Sequence, residues 1–193
     1  MKTIFSPDQL LHAPTKEISD GKLVPANEIP SRAEIVLEHI KKAQFGEVLA
    51  PNDFSLDPIL KVHDADYVTF LLDFWQLWLA EGRTEEEVFP FVWPVHGLRH
   101  DIVPDQIDGK LGFYSFDAGT PMGAHTWTAA RKSAETALTG ADLLLSGDNS
   151  AFALCRPPGH HAHRRSMALL LPEQCRNRSP ASARSGRGQG HDF

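Results

Sequence analysis

Apolar and polar positions along the first 156 residues fall into blocks that predict alternating strands and helices. Short apolar runs at 2–6 and 47–50 predict strands, each stopped by a proline. Apolar positions recur at helical spacing over 31–43, 64–82 and 126–145. An unbroken apolar run at 151–156 predicts a buried strand. This alternation predicts an α/β domain with a parallel sheet.

Two predicted helix starts carry polar side chains. Ser31, with Glu34 three residues later, predicts a capping box in which the Ser31 side chain caps the helix. The segment 63–66 (His-Asp-Ala-Asp) has the composition of a metal cluster, but acidic residues also favour the first turn of a helix. We therefore expect a solvated helix start there. The tryptophans of the helix that follows are expected in the core rather than on a ligand platform.

Two long segments lack a periodic pattern. Residues 7–31 are interrupted by prolines and predict a loop. Residues 83–122 hold four prolines, the acidic run 85–87, and aromatic residues interleaved with aspartates. A segment this long predicts an active-site insertion or a partner-binding loop, which could hold an amine through cation–π contacts and ion pairs. The alternative is a loop that packs its own aromatic side chains.

Charge and cysteine content narrow the class of protein. The net charge is −6 and no basic stripe is present in the first 168 residues, which argues against binding to nucleic acid. The acidic balance favours a cationic ligand. No apolar run has the length of a signal peptide or a membrane span. The two cysteines form no disulfide framework, so a reducing cytoplasm is expected.

The candidate chemistry lies directly after the strand at 151–156. Two prolines end the strand, and Gly159 then precedes the adjacent histidines His160 and His161. Neighbouring residues of an extended segment face opposite sides, so a turn is needed to bring both imidazoles to one site. The Pro-Pro-Gly sequence provides such a turn. The alternative is a surface turn that carries two histidines.

The string Arg-Pro-Pro-Gly-His-His-Ala at 156–162 resembles the signature of zinc-dependent deacetylases with the arginase/deacetylase fold. That family includes histone deacetylases and acetylpolyamine amidohydrolases. Further segments are similar to the acetylpolyamine branch: 4–6, 23–25, 30–34, 109–114 and 126–127. The resemblance extends from Met1 to about Ala168. It implies a three-layer parallel sheet, truncated here after the tandem histidines, and hydrolysis of acetyl amides of small amines.

The resemblance also implies roles for individual residues. His160 and His161 would be the tandem pair that exchanges protons beside the zinc without ligating it. Glu17 and Asp108 would contact the positive amines of a small acetylated substrate, and Gly119 stands where a further glutamate is expected. The loop 83–122 would lie at a homodimer interface. No role with nucleic acid or membrane is implied.

The sequence leaves the family pattern after Ala168. Residues 169–193 are rich in Ser, Arg and Gly, which is typical of a disordered tail. The family's zinc ligands, one His and two Asp, and its oxyanion tyrosine would all follow this point. We therefore expect residues 1–168 to be the N-terminal part of a deacetylase domain, with no metal ligands in this chain. His191 and Asp192 are not expected to be ligands, and the 193-residue chain is predicted to be inactive.

We hypothesise that a frameshift near Ala168, in the gene or in its sequencing, produced the break. Codons can be chosen for 168–179 that, read one base later, encode Arg-Tyr-Cys-Tyr-Leu-Asn-Asn-Ala-Ala-Ile. From its tyrosine onward, that string resembles the sequence Tyr-Cys-Tyr-Leu-Asn-Asn-Ala-Ala that follows the tandem histidines in the deacetylase family. The rival to a deacetylase is a non-catalytic binding module in which the loop 83–122 and Glu17 capture a cation or a partner.

Overall fold

The sheet at the centre of the molecule is parallel, as the alternation of elements predicted. The computed structural model describes residues 1–95, 97, 99–119, 121–157 and 164–165. The strands are β1 (Lys2–Ile4), β2 (Lys16–Ser19), β3 (Lys22–Pro25), β4 (Val48–Leu49) and β5 (Ala151–Ala153). The helices are α1 (Ser31–Lys42), α2 (Asp57–Leu60), α3 (Ala65–Ala80), α4 (Ile107–Phe113) and α5 (Thr126–Leu145), with a 3₁₀ helix at Pro7–Leu11. β1 lies between β4 and β5 and pairs with both in parallel, which confirms the α/β class.

The long helix α5 covers the central strand. Thr3 and Ile4 of β1 are fully buried. A Cβ added at Gly140 of α5 would lie 3.5 Å from the Ala153 side chain and 3.7 Å from that of Ile4. The backbone of α5 therefore passes close over β1 and β5, at a distance where an alanine side chain would make ordinary van der Waals contacts.

A cluster of aromatic side chains forms the largest core. It joins α3, α4 and the segment between them, and Tyr67, Phe70, Phe74, Trp78 and Tyr114 are its buried rings. The Phe70 and Tyr114 rings stack with centroids 4.7 Å apart, so α4 is held against α3 by aromatic contact. The expectation that Trp78 belongs to the core is confirmed. No helix in the described ranges is long and apolar enough to cross a membrane.

The expectation of a loop over 7–31 was wrong. This segment contains the 3₁₀ helix and an antiparallel hairpin of β2 and β3. Asp20 and Gly21 form the hairpin turn with φ angles of 50° and 71°. Positive φ at both central residues matches a type I′ turn, for which Asp-Gly is a preferred sequence. The Asp-Gly dipeptide was therefore a signal that the proline content of the segment obscured.

The predicted capping box at Ser31 does not form. Pro30 is already helical, with φ −51° and ψ −39°, and no side chain caps the helix. The Pro30 carbonyl accepts hydrogen bonds from the backbone N–H groups of Ala33 (3.0 Å) and Glu34 (3.3 Å). Because the proline ring restricts φ to helical values, the helix starts one residue earlier and Ser31 lies inside its first turn.

The segment 83–122 contains more regular structure than its sequence indicated. α4 lies within it, and Val88 and Met122 pair across its two ends. A Cβ at Gly112 would lie 2.6 Å from the Val92 carbonyl oxygen, so α4 needs a glycine where the chain crosses it. The alternative in which the segment packs its own aromatic side chains holds in part, and the role in a site or an interface stays a prediction. Tyr114 packs in the core, whereas Phe91 is exposed.

Candidate functional site

β5 ends at Ala153, three residues before the predicted end at 156, and the buried Arg156 follows it. The Arg156 guanidinium donates hydrogen bonds from Nη1 to the carbonyl oxygens of Gln9 (3.0 Å) and His12, and from Nη2 to that of Glu28 (3.0 Å). Its Nε lies 3.1 Å from a carboxylate oxygen of Glu28. One side chain thus ties the 3₁₀ helix and the chain before α1 to the end of β5. Burial, and secondarily the charge of Arg32, lower the Arg156 pKa to about 10, so it stays charged at neutral pH.

Gln9 completes this connection from the 3₁₀ helix. Its side chain is fully buried, and Nε2 donates to the carbonyl oxygens of Ser6 (3.3 Å) and Leu154 (3.2 Å). Its Oε1 accepts the backbone N–H of Arg156 at 2.6 Å. Gln9 therefore provides hydrogen-bond partners for the backbone of 154–156, beyond the end of β5. Sequence reasoning did not find it, because a glutamine after a proline carries no signal of burial.

His12 is buried beside the same arginine. Its Nδ1 lies 3.2 Å from the Thr126 hydroxyl. Burial, with a smaller contribution from the Arg156 charge, lowers the pKa of His12 to about 4. The imidazole is therefore neutral at pH 7, and a buried cation beside a second cation is avoided.

The lowered pKa of His12 makes stability depend on pH. The unfolded state, with a histidine pKa near 6.5, binds more protons than the folded state between pH 6.5 and about 4. Stability contributed by neutral His12 is therefore lost as pH falls through this window, up to roughly 3 kcal/mol. The variant His12→Gln is expected to flatten this part of the pH profile in urea denaturation. His39→Gln removes an exposed histidine and is the control; an equal flattening in both variants would contradict the prediction.

The predicted site residues fall in three places. His160 and His161 lie outside the described residues. Glu17 lies on β2, where its carboxylate accepts the backbone N–H of Asn27 at 2.9 Å and also the Asn27 side-chain amide. Asp108 lies on the first turn of α4, and its Oδ2 is 3.5 Å from Nη2 of Arg83. The structure places Glu17 in a hydrogen-bonded hairpin and Asp108 at the edge of a cavity.

This cavity has a volume of about 720 Å³. Its described lining comes from the hairpin, the end of α3, α4 and the segment 83–92: Thr15, Lys16, Leu23, Trp78, Arg83, Glu85, Glu86, Glu87, Val88, Phe89, Pro90, Phe91, Val92, Asp108 and Leu111. Glu17 is not among these residues. Neighbouring side chains of a strand face opposite sides, so Lys16 faces the cavity while Glu17 faces Asn27. Of the two predicted amine contacts, the cavity includes Asp108.

The described residues contain no group of three or more His, Cys, Asp or Glu side chains that could hold a metal ion. The acidic segment at 63–66 is ion-paired instead. Asp64 pairs with Arg164 and with Arg165, the latter at 2.8 Å, and His63 is buried. The helix start predicted at 63–66 is confirmed, since α3 begins at Ala65 with Asp66 exposed in its first turn; the solvated character holds for Asp66 but not for His63. The described residues therefore do not fit a zinc site.

The Histone deacetylase domain profile matches residues 26–168 of the chain. The chain belongs to this family. The deacetylase-type fold that the sequence motif predicted is confirmed. The matched region of the histone deacetylase domain ends at the residue where the sequence leaves the family pattern. The division into 1–168 and 169–193 stays a prediction.

Relatives of this deacetylase domain are acetylpolyamine amidohydrolases. The chain is 50% identical over 162 residues to Acetylpolyamine amidohydrolase 2 of Pseudomonas aeruginosa, covering 84% of the chain and 46% of the relative. It is 43% identical over 162 residues to Acetylpolyamine amidohydrolase of Mycoplana ramosa, covering 84% and 47%. The chain therefore spans about half the length of the curated relatives it matches.

Solved structures show the same fold. The acetylpolyamine aminohydrolase from Burkholderia pseudomallei superposes with a TM-score of 0.80 at 32% identity, covering 92% of this chain and 51% of that chain. The HD domain of HDA15 superposes with a TM-score of 0.63 at 21% identity, covering 91% and 41%. At that identity the second comparison shows the deacetylase fold alone.

Proposed function

We propose that the intact protein is a zinc-dependent deacetylase that hydrolyses acetyl amides of small amines such as acetylpolyamines. The observation that carries this proposal is the 50% identity over 162 residues to an acetylpolyamine amidohydrolase. The dependence on zinc is inferred from the resemblance of the 156–162 segment to zinc-dependent deacetylases. The 193-residue chain itself is proposed to be inactive, because the residues that would ligate zinc in the family have no counterpart in it.

In this proposal His160 and His161 exchange protons with the substrate amide and the leaving amine. The buried contacts of Arg156 and Gln9 support the proposal, because they hold the backbone that directly precedes the histidines. Proton transfer needs a base within hydrogen-bond distance of its partner, so the position of this backbone matters for the reaction. Arg156 and Gln9 are positioning residues rather than catalytic ones.

Asp108 is proposed to contact a positive amine of the substrate. Its place at the edge of a cavity with aromatic and acidic walls supports this role. Glu17 is proposed to act in the same way. Its bonds to Asn27 engage both carboxylate oxygens in this structure, so an amine would have to share them.

We further propose that the intact protein is a cytoplasmic homodimer with the loop 83–122 at its interface. Exposed apolar side chains in this loop support an interface: Phe91 is 72% exposed, Val92 63% and Val95 52%. Apolar side chains grouped in this way on a surface are typical of a contact between proteins.

The test of the deacetylase proposal compares two proteins. Resequencing codons 160–200 is expected to reopen the frame into Tyr-Cys-Tyr-Leu-Asn-Asn and then Asp-x-Asp-x-His-His. The protein translated in that frame is expected to release acetate from an N-acetylated diamine, with activity lost on chelation of zinc. The printed 193-residue chain is expected to release none.

Two results would contradict these expectations. Zinc-dependent hydrolysis by the 193-residue chain would contradict the proposal that this chain is inactive. No hydrolysis by the frame-restored protein would show that the proposed activity is wrong. If the DNA confirms the printed frame, the frameshift hypothesis fails and any function belongs to residues 1–168.

The second candidate function is a non-catalytic module that binds a cation. The cavity of about 720 Å³ with acidic and aromatic walls favours it. Cooperative unfolding of the 193-residue chain, with amine binding and without hydrolysis in either frame, would support this function over the first.

A further inference from the structure

A cation already lies in the cavity beside α4, and the chain itself provides it. The guanidinium carbon of Arg83 lies 4.6 Å from the centroid of the Trp78 ring. Nη2 of Arg83 lies 3.5 Å from a carboxylate oxygen of Glu81 and 3.5 Å from one of Asp108. An aromatic face with two carboxylates beside it is the arrangement that binds ammonium and guanidinium groups.

Arg83 is held loosely in this position. Its contacts with both carboxylates are long and single, whereas Arg99 holds Asp101 through two hydrogen bonds of 2.8 and 2.7 Å. The side chains of Arg83 and Asp108 are 33% and 61% exposed, and exposed ion pairs of this kind contribute little to stability. The Arg83 side chain can therefore leave its position without disturbing the fold.

Trp78 stays in place when Arg83 leaves. The indole is buried in the aromatic core and stacks on Phe74 with ring centroids 5.7 Å apart. The ring face that Arg83 covers is therefore a fixed surface, available to another cation. A preformed aromatic face of this kind costs no reorganisation on binding.

The rest of the cavity matches a cation attached to a short aliphatic chain. Four carboxylates line it, from residues 85–87 and Asp108, against the two cations Lys16 and Arg83. Apolar side chains of Leu23, Val88 and Leu111 form the remaining wall. Removal of the Arg83 guanidinium would have two effects. It would make the net charge of the cavity lining more negative, and it would uncover the face of the Trp78 ring.

We propose that Arg83 determines specificity by occupying the place of a ligand's cationic group on Trp78, so that a small aliphatic amine binds only when Arg83 leaves. The inference rests on the proposed function, in which Asp108 contacts a substrate amine. It adds that Arg83 lowers the affinity of the cavity for an amine. The ligand class is a primary ammonium or guanidinium on a short methylene chain.

The test is isothermal titration of the 193-residue chain with 1,4-diaminobutane. The variant Arg83→Gln is expected to bind the diamine about fivefold more tightly than the wild type, because a competing and repelling cation is removed. Arg99→Gln makes the same charge change at an exposed ion pair outside the described cavity lining, and its affinity is expected within about twofold of the wild type. Adding Asp108→Asn to Arg83→Gln is expected to cancel the gain. The uncharged 1,4-butanediol is expected to show no difference between the proteins.

Three results would overturn the inference: unchanged, weaker or undetectable diamine binding by Arg83→Gln; an equal gain in Arg99→Gln; or a gain that survives Asp108→Asn. The titration uses an unacetylated amine and measures no turnover. The result of the titration can therefore be interpreted even if the deacetylase assay fails. Diamine binding that does not respond to Arg83→Gln overturns this inference alone and leaves the proposed deacetylase intact.

Discussion

Replacing Arg156 by alanine is expected to lower the free energy of unfolding by about 3 kcal/mol or more. The variant leaves the carbonyl oxygens of Gln9, His12 and Glu28 without the donors that Arg156 provides, and leaves the Glu28 carboxylate paired with Arg32 alone. Buried acceptors without partners lose the full hydration that they had in the unfolded chain. Urea denaturation followed by tryptophan fluorescence measures the change.

Two further variants separate this effect from a loss of charge. Arg99→Ala removes an exposed arginine that pairs with Asp101, and it is expected to leave the urea midpoint essentially unchanged. Arg156→Lys keeps the charge, but one ammonium cannot reach carbonyls on both sides as the planar guanidinium does. It is expected to recover less than half of the lost stability. Equal stability of Arg156→Ala and the wild type would show that the buried contacts of Arg156 contribute nothing to the fold.

Replacing Phe74 by alanine is expected to cost about 4 kcal/mol of unfolding free energy. The Phe74 side chain is 1% exposed and lies between Phe70 and Trp78, with ring centroids 5.4 and 5.7 Å away. Its removal leaves a cavity in the aromatic core between the Phe70 and Trp78 rings of the same helix. The urea midpoint and the fluorescence of the native state are both expected to change.

The matched control for Phe74→Ala is Phe91→Ala. Phe91 is 72% exposed, so the same truncation there is expected to change the unfolding free energy by no more than about 0.5 kcal/mol. A small effect at Phe74, or similar losses at the two positions, would contradict the assignment of the aromatic cluster as the main core. Circular dichroism at low temperature checks that both variants are folded before denaturation.

Long periodic stretches were predicted well because their information is local. The pattern predicted a helix over 126–145, and α5 is Thr126–Leu145. The predicted stretch 64–82 contains α3, Ala65–Ala80, and ends at Gly82. The broad apolar surface of each helix faces the sheet or the aromatic core, so burial reinforced the local preference.

Local signals were weaker where glycine or proline stood within an element. α4 contains two glycines, and one of them is needed because the Val92 backbone crosses the helix there. The Asp20-Gly21 turn gave a usable signal for the hairpin, although the prolines around it favoured a loop. At Gly112 a contact with another part of the chain requires the glycine, whereas at Gly21 the positive φ of the turn favours it.

Local sequence also indicated one part of the candidate site but not the rest. The family could be read from 156–162 because its chemistry depends on residue types at consecutive positions. The roles proposed for His160, His161 and Glu17 come from that resemblance and stay predictions.

By itself, the sequence determined the α/β class, the long helices and the deacetylase family, since each depends on neighbouring residues. Only the tertiary structure decided how the site is supported and what lies in its cavity. Arg156 bonds Gln9 across 147 residues, and Asp108 of α4 approaches Arg83, which lies after the end of α3. Contacts between residues so far apart depend on how the elements pack, and no local pattern carries that information.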